Sequence, residues 1–173
     1  MRSMGGCSGK GDTLGANELS MQLWRERELL EMLIFKLEEQ RLLLEAGNTR
    51  WIHLASREIE RVLEELRESG LGRDVEVAAV AREWGVPEAA TLSELLDSAP
   101  TGTWRDVFAE HRAALTERMA EVSQLKEANE THLRAASRAV DETLAGLESG
   151  TGEYTTGGGR VREDTARIVD REM

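Results

Sequence analysis

Residues 18–46 read ELSMQLWRERELLEMLIFKLEEQRLLLEA and contain neither glycine nor proline. Leucine recurs at every seventh position of this segment, at Leu23, Leu30, Leu37 and Leu44. That spacing places the leucines on one face of a helix, and further apolar residues between them broaden the face. At a rise of about 1.5 Å per residue, the segment predicts an amphipathic helix about 44 Å long.

A second helix is predicted directly after the first. Gly47 supplies a C-cap, and Asn48 and Thr49 allow the chain to restart. Apolar residues then alternate at intervals of three and four up to Gly70, at Ile52, Ala55, Ile59, Val62 and Leu66. Because the connection between the two helices is short, they are predicted to form an antiparallel hairpin.

The region 70–103 is predicted to hold small helices packed across an end of the longer ones. Apolar residues at helical spacing predict one helix over Asp74–Trp84, which Pro87 ends because proline cannot continue the hydrogen-bond ladder. Thr91 and Glu94 form a capping box for a second, shorter helix.

The last helix is predicted to begin at Thr103 and to meet no helix breaker before Gly146. It is long enough to overhang the other two helices of a three-helix bundle. Asn129 interrupts its apolar seam and allows two interpretations: a buried amide that fixes register, or the point where a partner's helix begins to pack. The predicted fold is therefore all-α: an elongated antiparallel helical bundle, or coiled-coil hairpin, with a long C-terminal helix and short connecting helices.

Glycine is concentrated towards both ends of the sequence. This distribution predicts a disordered leader over 1–17, a helical bundle over 18–148 and a flexible glycine-rich tail over 149–173. The tail contains the only tyrosine, Tyr154, and a lone aromatic side chain there is either incidental or a recognition anchor.

The chain is acidic: 33 Asp and Glu against 22 Lys and Arg give a formal net charge of -11. Such a charge repels phosphate backbones and anionic lipid, so neither nucleic acid nor membrane insertion is expected. The single Cys7 cannot form an internal disulfide, and Met1–Ser20 lacks the apolar core of a signal peptide. The expected location is a reducing cytosol.

Catalytic and metal-binding patterns are absent from the sequence. The three histidines, His53, His111 and His132, do not share the spacing that would place two metal ligands on one helix face. The glycine-rich stretch Gly5–Lys10 differs from a P-loop, because one residue is missing between the glycines and Gly11 replaces the magnesium-binding Ser or Thr. We therefore expect no enzyme activity, no metal and no cofactor.

Three features carry a resemblance to a known family: residues 23–30, the hinge 42–47 and the glutamate-rich second helix. Residues 125–129 in the last helix support it. The break Trp84–Pro87, with the segment 91–95 after it, adds to it. In these features the chain resembles the FlgN-type flagellar export chaperones over residues 19–158. The resemblance implies a cytosolic chaperone of type III secretion that binds hook-filament junction proteins and delivers them to the export gate.

The resemblance and the helical pattern together suggest two sites. The expected cargo surface is an apolar stripe late in the last helix, comprising Leu133, Ala136, Val140, Leu144 and Leu147. These residues could instead close the bundle internally or form a homodimer seam when cargo is absent. The expected docking site for the cytoplasmic domain of the export gate is Tyr154 with Gly157, although the following glycines depart from the family's pattern. The alternative function is a structural coiled-coil protein that self-associates.

Overall fold

A computed structural model describes residues 14–150, which contain four α-helices, one short 3-10 helix and no strand. The elements are α1 (Leu14–Glu45), a 3-10 turn (Thr49–Trp51), α2 (Ile52–Trp84), α3 (Leu92–Asp97) and α4 (Thr103–Gly150). The predicted all-α class is confirmed. The chain divides into two compact units, residues 1–133 and residues 134–173, and α4 enters both.

Helices α1 and α2 form the predicted antiparallel hairpin. Gly47 takes the left-handed conformation, with φ of 64°, and ends α1 as a C-cap. The amide of Asn48 donates to the carbonyl oxygen of Leu43 at 2.9 Å, which satisfies a carbonyl that the helix end leaves open. Further along the pair, the Nζ atom of Lys36 lies 2.7 Å from Glu58. Helix α1 itself begins at Leu14, four residues before the predicted start at Glu18.

The predicted end of the second helix at Gly70 is wrong. Helix α2 continues through Gly70 and Gly72 to Trp84, so no separate helix begins at Asp74. The glycines lie close to α1: a Cβ on Gly72 would stand 3.1 Å from the Nε2 atom of Gln22. Small residues here allow a close approach of the two helices, and packing against α1 outweighs the low helix propensity of glycine.

The helix end predicted at Trp84 and the predicted capping box of α3 are confirmed. Gly85 is left-handed, with φ of 69°, and follows the last helical residue, Trp84. The capping box is complete: Thr91 accepts from the amide of Glu94 at 3.3 Å, and the Thr91 amide donates to the Glu94 carboxylate at 2.7 Å. Of the small helices predicted over 70–103, only α3 is present.

Helix α4 lies along α1 in the same direction within the first unit. His111 contacts Ser20 near the start of α1, and Asn129 contacts Leu37 in its second half. The buried apolar side chains of the three helices and α3 form two clusters. The first cluster contains Ala16, Leu19, Leu23, Val77, Val80, Ala81, Leu95, Leu96 and Phe108. The second contains Leu33, Ile34, Leu37, Ile59, Val62 and Leu125.

Candidate binding surfaces

Two adjoining hollows, of about 390 Å³ and about 260 Å³, lie between α2 and α4 in the first unit. Both are lined by Leu33, Leu63 and Val122, so they form one trough, which we call the α2–α4 cleft. Helix α1 supplies the floor through Leu30, Leu33 and Leu37. The walls are Ile59, Leu63 and Leu66 from α2 and Leu115, Met119, Val122 and Leu133 from α4.

The cleft exists because α2 and α4 both pack on the heptad face of α1. Positions spaced by three and four residues turn inward along α1, and its floor leucines are buried. On the rims, Leu63 is 36% exposed and Met119 is 50% exposed. An apolar trough with partly exposed apolar rims has the shape that accepts one face of an amphipathic helix.

A buried amide network closes one end of the cleft. Asn129 is only 2% exposed, and its Nδ2 atom donates to the Leu37 carbonyl oxygen at 2.8 Å and to Gln40 Oε1 at 3.0 Å. The Nε2 atom of Gln40 donates in turn to Ser56 at 2.9 Å, so α1, α2 and α4 are joined at one level. Of the two interpretations of Asn129, the structure supports the buried amide that fixes register.

An ion pair marks the other end of the cleft. The carboxylate of Glu26, 6% exposed, accepts from Arg73 at 3.1 Å. Burial raises the pKa of Glu26 above its ordinary value of 4.5, although the charge and the hydrogen bond of Arg73 act in the opposite direction. A buried carboxylate that depends on one arginine fixes the alignment of α1 with α2.

The predicted cargo surface falls on exposed positions of α4. Val140, Leu144 and Leu147 in the second unit are 55%, 54% and 64% exposed, and Ala136 is half-buried. We call these four residues the terminal stripe. Leu133, the fifth predicted residue, belongs to the first unit and lines the α2–α4 cleft. The cargo role of the five residues stays a prediction.

Tyr154 and Gly157, predicted to dock at the export gate, lie outside the described residues, as does most of the predicted tail. The leader predicted over 1–17 overlaps the start of α1, because residues 14–17 are helical. The gate-docking role also stays a prediction.

Histidine and carboxylate side chains do not gather into a metal site: within residues 14–150, no group of three or more potential ligands is found. His53 and His132 are exposed, whereas His111 is buried between α1 and α4. Its Nε2 atom lies 3.1 Å from the Ser20 hydroxyl, and its ring packs perpendicular to the Trp24 ring, with the ring centroids 5.3 Å apart. His111 therefore has a packing role.

Sequence reasoning missed a second apolar face on α1. Six large apolar side chains point away from the core and remain exposed, namely Leu14, Met21, Trp24, Met32, Phe35 and Leu42. We call them the α1 outer stripe. The signal was present, because four of them lie on one seven-residue repeat, but the leucine repeat on the inner face concealed it. Near the hinge, Leu42 and Trp51 also line a hollow of about 400 Å³.

Comparison with known families gives a match to most of the chain. A family model described as FlgN protein matches residues 14–162. The chain belongs to the FlgN family. The matched residues include those of the α2–α4 cleft and the terminal stripe, as well as Tyr154 and Gly157. Membership of the FlgN family identifies the chain as a flagellar export chaperone at the level of the family, as the resemblance implied.

Two other comparisons add nothing to the FlgN match: the chain matches no curated protein and no solved structure. Among the described residues, no helix combines the length and apolarity needed to cross a membrane.

Proposed function

We propose that this FlgN-family chain binds the amphipathic terminal helices of flagellar hook-associated proteins, the hook-filament junction proteins, and holds them unassembled in the bacterial cytoplasm until export. The family match carries the proposal. The exposed apolar side chains of α4 support it, because Val140 and Leu144 offer contact area at the i, i+4 spacing of helix-to-helix recognition.

The proposed cargo surface is the terminal stripe together with Leu133. The members of the terminal stripe lie on one face of α4 at intervals of three and four residues, so a cargo helix could pack along them. Each large apolar side chain buried on binding contributes about 1.5–3 kcal/mol, so two such contacts change the affinity by a factor of about 100 or more.

Purified hook-filament junction proteins encoded with the chain would test this surface. The double variant Val140→Glu/Leu144→Glu should bind cargo about 100-fold more weakly or not at all, since two charges would have to be desolvated. The matched control is Ala135→Glu/Ala145→Glu, which adds the same charge to exposed positions on the opposite face of the same helix. Isothermal titration calorimetry measures both, and equal affinities for the two variants would refute the terminal stripe.

The α2–α4 cleft is a second candidate for cargo binding, favoured by its partly exposed apolar rims. Leu63→Glu/Met119→Glu places charges on both rims without emptying the core. On our proposal this variant binds cargo nearly as well as the unmodified chain. Loss of binding here, with binding retained in Val140→Glu/Leu144→Glu, would move the cargo site to the cleft.

Delivery to the export gate is proposed for Tyr154 with Gly157. Tyr154→Ala should leave cargo affinity unchanged and reduce secretion of the junction proteins, whereas Tyr154→Phe should retain part of the activity because the ring remains. Secretion assays on the two variants measure the effect, and an unchanged secretion rate for Tyr154→Ala would remove Tyr154 from the mechanism.

If no junction protein forms a complex with the chain and only self-association is seen, the structural coiled-coil alternative replaces the chaperone.

A further inference from the structure

The α1 outer stripe is an apolar surface that the proposed cargo site does not use. Its six side chains are each between 46% and 65% exposed, although all are large and apolar. They lie opposite the buried heptad face of the same helix, which faces α2 and α4. A row of exposed apolar side chains on one helix face marks an interaction surface.

The stripe is symmetric about one residue, Glu28. Leu14 and Leu42 lie fourteen residues on either side of it. Met21 and Phe35 lie seven residues away on either side, and Trp24 and Met32 lie four residues away on either side. When two identical helices pair antiparallel about a two-fold axis at Glu28, every apolar residue faces an apolar residue of the other copy.

We infer that the α1 outer stripe is a self-association surface, on which a second copy of this chain packs antiparallel about Glu28. A partner of unrelated sequence would need apolar residues along the stripe but would not require this symmetry. An antiparallel isologous interface does require it, because each residue before Glu28 must meet the residue equally far after Glu28 in the other copy.

The charges beside the stripe agree in part with this pairing. Arg25 and Glu31 lie three residues on either side of Glu28, so each copy's Arg25 faces the other copy's Glu31. Arg25 is exposed and makes no ion pair with any residue from 14 to 147, while Glu31 contacts Arg118 through one oxygen and is still 58% exposed. Complementary charges at this point favour the antiparallel register.

Glu28 itself opposes the dimer, because the two Glu28 carboxylates meet at the axis. Glu18 and Glu38, ten residues on either side, also bring like charges together at the margins of the stripe. Like charges in contact weaken an interface without changing its geometry. The dimer is therefore expected to be weak and reversible.

The variant Glu28→Leu tests the axis directly. It removes the facing carboxylates and completes the apolar repeat, so the dimer dissociation constant should fall about tenfold or more. The matched control Glu65→Leu makes the same change at an exposed position on α2. Sedimentation equilibrium measures both, and equal dissociation constants for the two variants, or monomers throughout, would overturn the inference.

Cysteine cross-linking tests the direction of pairing in a Cys7→Ser chain, which has no other cysteine. Glu28→Cys should cross-link to itself under mild oxidation, because it lies on the axis. Met21→Cys and Phe35→Cys should cross-link when the two chains are mixed, and neither should cross-link alone. Self-cross-linking of Met21→Cys would indicate parallel pairing, and the absence of any cross-link at these positions would exclude the interface.

Discussion

His111 is a buried residue whose pKa is shifted by its surroundings. Burial, and then the positive charge of Arg27, hold the pKa of His111 below its ordinary value of 6.5, while Glu110 acts weakly in the opposite direction. Arg27 stacks over Trp24 at 4.1 Å, and Trp24 meets the His111 ring. The neutral imidazole is therefore the form that the bundle accommodates.

A stability difference follows from that lowered pKa. Below pH 6.5 the unfolded chain binds more protons at this histidine than the folded chain, so its contribution to stability is present above about pH 6.5 and is lost as the pH falls through the folded pKa. His111→Gln removes the titrating group, so the free energy of unfolding should fall less between about pH 7.5 and about pH 5.5 than in the unmodified chain. Urea unfolding at both pH values measures this, and parallel profiles would contradict the assignment.

Individual residues differ in how far the sequence alone identifies them. Asn129 was recognisable as a polar interruption of an apolar seam, but its partners, the Leu37 carbonyl and Gln40, lie about ninety positions away in the chain. Which residues come into contact depends on how the three helices pack, and a local sequence pattern does not show this. For the same reason His111 could be placed on a helix but not against Ser20.

At the scale of the element, Gly47 and Gly102 show how differently two glycines act. Gly47 has a φ of 64°, which favours glycine over every other residue, whereas Gly102 has no such constraint and open space around its Cβ position.

Gly47→Ala should lower the free energy of unfolding by about 1 kcal/mol, because alanine is strained in the left-handed region. Gly102→Ala, the same change where the backbone permits it, should be neutral or slightly stabilising. Chemical denaturation of the two variants compares them. A Gly47→Ala chain as stable as the Gly102→Ala chain would show that the hinge tolerates a different conformation.

Helix ends could be predicted wherever they depend only on residues that are close together in the sequence. The Gly47 cap, the Thr91 capping box and the start of α4 at Thr103 all follow from residues within one turn of each other. Gly70 was misread as an end because glycine has low intrinsic helix propensity. Helix α2 continues through Gly70 because it contacts α1 there. The apolar pattern of one helix cannot reveal such a contact.

At the scale of the whole molecule, two apolar clusters in the first unit are separated by a polar layer. Gln22 donates to the Ser69 carbonyl oxygen at 2.7 Å, and Glu26 pairs with Arg73 one turn further along. The polar layer joins α1 to α2 between the two clusters.

Two phenylalanines allow the inner and outer surfaces of the bundle to be compared. Phe108 is fully buried in the first cluster between Trp84 and Trp104, so Phe108→Ala should lower the free energy of unfolding by about 3–5 kcal/mol. Phe35 is 51% exposed on the α1 outer stripe, so Phe35→Ala should change it by about 0.5 kcal/mol or less in the monomer. Thermal unfolding at low protein concentration measures both; comparable losses would place Phe35 in the core.

The fold class and the hairpin were within reach of the sequence, while the α2–α4 cleft was not. The cleft depends on the separation of two helices that both contact α1, which no single segment encodes. Similarly, heptad leucines indicate that α1 has a buried face but not that its opposite face carries exposed residues such as Trp24 and Phe35.

The two apolar faces of α1 raise the question of which one turns inward as the chain folds. Hydrophobicity alone distinguishes them poorly, and a helix that can collapse on either side has competing compact states. The inner face contains Glu26 and Gln40, which find Arg73, Ser56 and Asn129 only when that face meets α2 and α4. These polar residues therefore determine which face of α1 is buried. If α1 packed with the opposite face inward, Glu26 and Gln40 would lose their partners, so the α1 outer stripe stays exposed.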